Sequence, residues 1–224
     1  MSVKIIVDST TDLLPSIREQ VTVVPLTVCF GQEEFTDGVT ITHEQFYEKL
    51  VECDVLPTTS QASPAAFIRV LSETLAPGDS ALILTLSSEL SGTYQSAVIA
   101  AGEFEEVFVV DSSSVAIGTG ILTEYALECV KKGMSAKEIA EEIERKKKDV
   151  CVIAMLDTLE YLKKGGRISS TAAFAGGILN IKPVVNIENG RINILGKARG
   201  SKQGNNLLVS EIRKTGGIDV TKPI

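Results

Sequence analysis

The sequence predicts a two-domain α/β protein. A Rossmann-like, mainly parallel sheet with helices on both faces is expected over residues 1–149, and a smaller α+β domain over 150–224. Three observations carry that expectation. Short β-branched runs alternate with helical patterns through the first part of the chain, the rhythm of a parallel sheet. Val-Asp-Ser occurs at 7–9 and again at 110–112, each time closing an apolar run. Near residue 150 the rhythm changes to strands that face each other across Glu188-Asn189-Gly190, a hairpin turn sequence.

Each element has a local reason. Val3–Val7 is a β-branched strand, ended by Asp8-Ser9-Thr10-Thr11-Asp12. Val21–Phe30 is a second β-rich stretch, with Gly31 and Asp37-Gly38 as turn signals. Thr42 caps a helix whose Gln45 completes a capping box, and Phe46, Leu50 and Val51 supply its apolar face. Pro57–Ser63 reads as a hydroxyl-rich loop, and Pro64 suits the first turn of the helix that follows. Ala81–Leu86 is a buried strand, Ser87–Gly92 a loop, and Thr93 opens a small-residue helix. Val107–Val110 is a further strand. A helix over 115–132 is stopped by Gly133, and Ser135 with Glu138 caps the next. In the second domain, Cys151–Leu156 is a strand and Thr158–Lys164 a short helix ended by Gly165-Gly166. Gly176-Gly177 is a break, Ile181–Ile187 and Arg191–Leu195 form the hairpin, and Lys202–Lys214 is helical. Ile218–Ile224 begins another strand, and the chain is expected to be truncated there, with the second domain incomplete.

Composition narrows the function. The chain has 224 residues, 44% apolar and 23% charged, which are ordinary globular values. Its 22 basic and 29 acidic residues leave a net charge of −7. That balance argues against nucleic acid as a partner, and against electrostatic attachment to anionic lipid. Apolar runs fall well short of the roughly 20 residues a membrane helix needs. One histidine and four cysteines without a CxxC pair give no zinc or Cys-His site. Cys29, Cys53, Cys129 and Cys151 read as buried or bystander thiols of a reducing cytoplasm. His43 reads as a surface residue.

The informative feature is the clustering of small hydroxyls. Thr58-Thr59-Ser60-Gln61 precedes one helix, and Ser87-Ser88-Glu89-Leu90-Ser91-Gly92-Thr93 precedes another. Helix N-termini carry unpaired N–H groups and partial positive charge, and adjacent hydroxyls and glycine let an anion approach. Ordinary capping is the competing reading, since Ser and Thr are favoured caps. Asp8 and Asp111 are either catalytic carboxylates or acceptors that hold neighbouring loops through backbone N–H groups. No GxGxxG follows the first strand and no phosphate loop is present. Lys163-Lys164-Gly165-Gly166-Arg167 reads as a helix C-terminus with favourable cations, or as an anion or partner contact through Arg167. Ala, Gly and Ser residues over 169–178 suit close helix packing, or the wall of a slot for a slender ligand.

Together these segments resemble the DegV family of bacterial lipid-binding proteins. The matching pieces are Val7–Asp12, Thr58–Pro64, Leu86–Ser96 (LSSELSGTYQS), Val110–Ser112 and Leu156–Ser169 (LDTLEYLKKGGRIS), with Ile181–Pro183 and Lys197–Gly200 continuing the match. The resemblance implies two α/β domains with a lipid slot between them. It implies one long-chain fatty acid as ligand and no cofactor. Thr59 and Ser91 match its carboxylate-binding hydroxyls, with Ser60 and Gly92 beside them, and Arg167 matches an arginine near the head group and the partner-facing surface. It further implies a cytoplasmic, non-catalytic subunit that presents the carboxylate to a separate fatty acid kinase for acyl-phosphate formation in phospholipid synthesis, with only transient membrane contact. Family members run further and carry a C-terminal histidine near the head group, which His43 does not replace. The alternative is a phosphotransferase or hydrolase in its own right, using Asp8, Asp111 and the hydroxyl loops.

Overall fold

The computed structural model describes residues 2–53, 55–168 and 180–218. The chain divides into two compact units, Met1–Val150 and Cys151–Ile224.

The first unit is built on a four-stranded sheet. Its strands are β1 (Val3–Asp8), β2 (Thr22–Val24), β6 (Ser80–Thr85) and β7 (Val107–Asp111), in the order β2-β1-β6-β7. All three pairings are parallel, with Ile6 opposite Thr22, Ile5 opposite Leu82 and Leu82 opposite Phe108. Side chains alternate between the two faces. Ile5, Val7, Leu82 and Leu84 meet Leu122 and Ala126 of α5 (Ile117–Lys131) and Ile139 and Ile143 of α6 (Ala136–Lys146). Ile6, Ala81 and Ile83 meet Phe67 and Leu71 of α3 (Pro64–Thr74) and Ala97 and Ala100 of α4 (Thr93–Ala101). Because both faces are covered, apolar residues run on consecutively in the central strands, as in Ile5-Ile6-Val7 and Ala81-Leu82-Ile83-Leu84, rather than alternating.

A small antiparallel sheet is inserted between β2 and β6. Its strands β3 (Thr27–Phe30), β4 (Glu33–Thr36) and β5 (Thr58–Ser60) run in the order β4-β3-β5. Helix α2 (His43–Glu52) packs on it through Phe46, whose ring centroid lies 5.6 Å from that of Phe30. A single helical turn, α1 (Pro15–Arg18), lies between β1 and β2. Helix boundaries follow side-chain chemistry. Thr42 with Gln45 and Ser135 with Glu138 form complete capping boxes, and Ser63 caps α3 with Pro64 in its first turn.

Three local expectations are corrected. Val21–Phe30 is not one stretch but two strands in different sheets, broken at Pro25-Leu26, where proline has no N–H to give a ladder. Pro57–Ser63 contains the strand β5, paired to β3 through Val28 opposite Thr59. Val51 is not on the packed face of α2 but 87% exposed. Phe46 and Leu50 are four residues apart and share a face, which turns the next residue away.

The second unit holds a three-stranded antiparallel sheet of β8 (Val152–Met155), β9 (Ile181–Glu188) and β10 (Arg191–Arg199), ordered β10-β9-β8. With it are α7 (Glu160–Lys164) and α8 (Gly200–Lys214). Asn189 and Gly190 both have positive φ, 52° and 76°, as a primed hairpin turn requires. Leu159, Ile168 and Val185 form its core. The Gly176-Gly177 break, the small-residue run over 169–178 and residues 219–224 of the expected last strand lie outside the described residues.

Candidate functional site at the sheet edge

The chain leaves β1 to one side for β2 and returns on the other side for β6. That reversal makes a crevice at the C-terminal ends of the strands, where ligands bind in open parallel sheets. Asp8 closes its floor. One carboxylate oxygen accepts from the Thr10 N–H at 3.0 Å and the Thr10 hydroxyl at 2.6 Å, and the other accepts from the Leu86 N–H at 2.7 Å. Burial pushes its pKa up, while the bonds from Thr10 and Leu86 pull against that rise. Asp111 accepts from the N–H groups of Ser88 at 3.2 Å and Ser113 at 2.7 Å. Both aspartates therefore hold loops, and Asp8 has no open face from which to attack or take a proton.

Several hydroxyls are occupied in the same way. Ser9 accepts from the Leu26 N–H at 3.0 Å, and Ser112 accepts from the Ser114 N–H at 3.1 Å while lying 3.0 Å from the Thr119 hydroxyl. The loop after β7 is held firmly enough to keep Ser113 and Ala116 at positive φ.

The hydroxyls singled out by sequence differ. Helix α3 takes its cap from Ser63, so Thr59 and Ser60 are not needed for capping. Both are exposed on β5, and among the described residues neither hydroxyl has a hydrogen-bond partner. Helix α4 begins at Gly92, which has no side chain to cap it. Ser91, half-buried, lies 2.9 Å from the Thr93 hydroxyl and accepts from the Thr93 N–H at 3.3 Å. The start of α4 thus sets an exposed glycine beside the half-buried Ser91 hydroxyl, while the Thr93 hydroxyl is buried.

One residue of the same segment carried no separate signal. Gln61 donates from Nε2 to the Ser96 hydroxyl at 2.8 Å, joining the end of β5 to the first turns of α4. A Cβ built on Gly92 would overlap the Gln61 carboxamide oxygen. Thr59, Ser60, Ser91 and Gly92 thus belong to two loops of the first unit that are joined directly. Arg167 belongs to the second unit, exposed just after α7. Its N–H donates to the Leu162 carbonyl at 2.9 Å and its guanidinium to the Gly165 carbonyl at 2.5 Å.

Other candidates fall away from this edge. His43 is exposed in the first turn of α2. Of the thiols, Cys129 is buried, Cys29 and Cys53 are partly so, and Cys151 is exposed rather than buried. Among the described residues no three His, Cys, Asp or Glu side chains converge to hold a metal ion, and no helix is long and apolar enough to cross a membrane. A groove of about 1110 Å³ lies at the opposite, N-terminal edge of the sheet. It is lined by Leu75, Phe104 and Met134 and rimmed by Asp79, Glu103 and Glu105, with no lysine or arginine to receive an anion.

The fold is that of a DegV domain, and comparison with known proteins agrees. The chain matches the family described as uncharacterised protein, DegV family, over residues 2–220, and it belongs to that family. It is 35% identical over 218 residues to a DegV domain-containing protein of Caldanaerobacter subterraneus, covering 96% of this chain and 78% of that one. A DegV family protein of Thermus thermophilus, described for its fatty acid binding, superposes with a TM-score of 0.86 at 38% identity, covering 96% of this chain and 78% of that one. The Fatty Acid Kinase B3 protein of Streptococcus pneumoniae, loaded with linoleic acid, superposes with a TM-score of 0.86 at 27% identity, covering 96% of this chain and 79% of that one.

Proposed function

We propose that this chain binds one long-chain fatty acid and presents its carboxylate to a separate fatty acid kinase, without transferring phosphate itself. The observation that carries the reading is the start of α4 at Gly92, beside the Ser91 hydroxyl and joined through Gln61 to the exposed hydroxyls of β5. Thr59, Ser60 and Ser91 donate hydroxyl hydrogen bonds to the carboxylate, and the Gly92 N–H adds a backbone donor. Arg167 serves the head-group region or the kinase-facing surface. The fatty acids bound by the Thermus and Streptococcus relatives support the ligand class, and the kinase protein among them supports the partner. Phosphotransfer or hydrolysis by Asp8 and Asp111 is disfavoured because loop N–H groups occupy both carboxylates.

Magnitudes divide the labour. Each buried methylene contributes about 0.8 kcal/mol, so a tail of about fourteen contributes on the order of 11 kcal/mol before ordering costs. A hydrogen bond to a charged group contributes about 1.5–3 kcal/mol. The tail therefore sets most of the affinity and the hydroxyls set polarity. Ser91→Ala is expected to weaken fatty acid binding about ten-fold, yet to leave the protein lipid-loaded on purification and to cripple acyl-phosphate formation with its cognate kinase. Mass spectrometry of the purified protein reads the first outcome and a kinase assay the second. Unchanged acyl-phosphate formation by Ser91→Ala would sink the assignment of that hydroxyl.

A further inference from the structure

We infer that Gln61 is a positioning residue that sets the spacing between the two halves of the head-group site, and that a side chain at position 92 would displace it, because the Gln61 carboxamide lies over that glycine. The inference rests on the fatty acid reading for its effect on binding, but its geometry stands alone. Gln61 follows Thr59 and Ser60 on β5, and Ser96 follows Ser91 and Gly92 on α4. The two segments are 35 residues apart in sequence, and the 2.8 Å bond from Gln61 Nε2 to Ser96 Oγ joins them. Ser96 is 1% exposed, so this anchor is fixed in the α3–α4 layer, where α4 supplies Ala97 and Ala100 to the core. Its own N–H donates to the Gly92 carbonyl at 3.0 Å, so the anchor and the glycine share one helical turn.

Gly92 shows the other side of the clamp. Its φ of −73° is open to any residue, so backbone conformation does not demand glycine there. The place a Cβ would take is crowded by the oxygen, carbon and nitrogen of the Gln61 carboxamide, the far end of an exposed side chain. An alanine at 92 would push that carboxamide aside and break its bond to Ser96, leaving β5 and α4 without this link. A carboxylate shared by hydroxyls from both segments loses alignment when their spacing changes, because hydrogen bonds weaken steeply with distance and angle.

The experiment is a double-substitution cycle on the purified, delipidated chain with carboxyl-labelled oleate as probe. Gln61→Ala and Gly92→Ala are each expected to weaken oleate binding about five- to ten-fold, and to move the carbon NMR signal of the bound carboxyl. In the Gln61→Ala background, Gly92→Ala should cost nothing further, because the obstruction is gone. Additive losses, or an unmoved carboxyl signal with wild-type affinity in Gln61→Ala, would overturn the clamp. Hydrogen exchange on the ligand-free protein tests the geometry independently. Gln61→Ala should raise exchange in both 58–61 and 91–96 while leaving 81–85 protected. Unchanged exchange in both segments overturns the clamp whether or not oleate binds. A wild-type chain that takes up no oleate, with exchange raised as stated, would refute the fatty acid reading and leave the clamp in place.

Discussion

Asp8 is fully buried, and hydrogen bonds reach both of its carboxylate oxygens. Its environment resolves at residue scale what two bare aspartates left open, since catalysis and loop anchoring ask for the same residue type after a strand. Asp8→Asn replaces one acceptor oxygen by an amide NH₂, which must face the N–H of either Thr10 or Leu86. Leaving such a buried donor unsatisfied costs about 1–3 kcal/mol, a loss that urea unfolding at neutral pH should show. The pH dependence has a fixed sign. The folded-state pKa of Asp8 is raised, burial being the largest cause. Its titration therefore contributes stability that is fully present below the unfolded value of about 3.9 and is lost as pH rises through the folded value. The asparagine variant lacks that contribution, so its deficit should be larger in acid and shrink toward neutrality. A deficit that instead grew with pH would contradict a raised Asp8.

The α5–α6 pair makes the corresponding point for elements. The Tyr125 hydroxyl on α5 donates to Glu142 on α6 at 2.8 Å. That bond, strengthened by partial burial, raises the Tyr125 pKa to about 12, and it lowers the pKa of Glu142. A raised phenol contributes stability below its unfolded value of about 10 and loses it as pH rises through about 12. Phenolate absorbance should therefore show a late step near 12 that belongs to Tyr125. Tyr125→Phe should remove that step, and an absorbance titration identical to wild type in Tyr125→Phe above pH 11 would refute the pairing. Elements of this kind were legible in sequence wherever the signal is local: both capping boxes, Pro64 at a helix start and Asn189-Gly190 in a hairpin. They were illegible where partners are distant. Thr58–Ser60 is a strand only because it pairs with β3, far back in the sequence, and nothing within four residues announces that pairing. The site divides likewise. Hydroxyl clusters are visible as composition, whereas the bond from Gln61 to Ser96 exists only once β5 and α4 are brought together.

At the scale of the whole molecule, the fatty acid reading makes the head group the smaller term, and that leads to a measurable rule. If the ligand is a fatty acid whose tail is buried and whose carboxylate meets the hydroxyl loops, affinity must rise with tail length until the slot is full, with a slope set by hydrocarbon burial alone. At about 0.8 kcal/mol per methylene, two added methylenes tighten binding about fifteen-fold. On this reading, changes at the carboxylate displace the whole series without altering its slope, because Ser91 is assigned to the carboxylate and not to the tail. Titration of the delipidated chain with saturated acids of increasing length should therefore give parallel lines for wild type and Ser91→Ala, offset by the lost hydrogen bond. The line should break at the length where the slot is filled. A flat series would mean that the tail stays in water and that the hydroxyl edge binds short anions. A slope that changed with Ser91→Ala would mean that the hydroxyl shapes the slot rather than gripping the carboxylate. Parallel lines with a common break would separate the two tasks, one assigned to the loops of the first unit and the other to buried apolar surface.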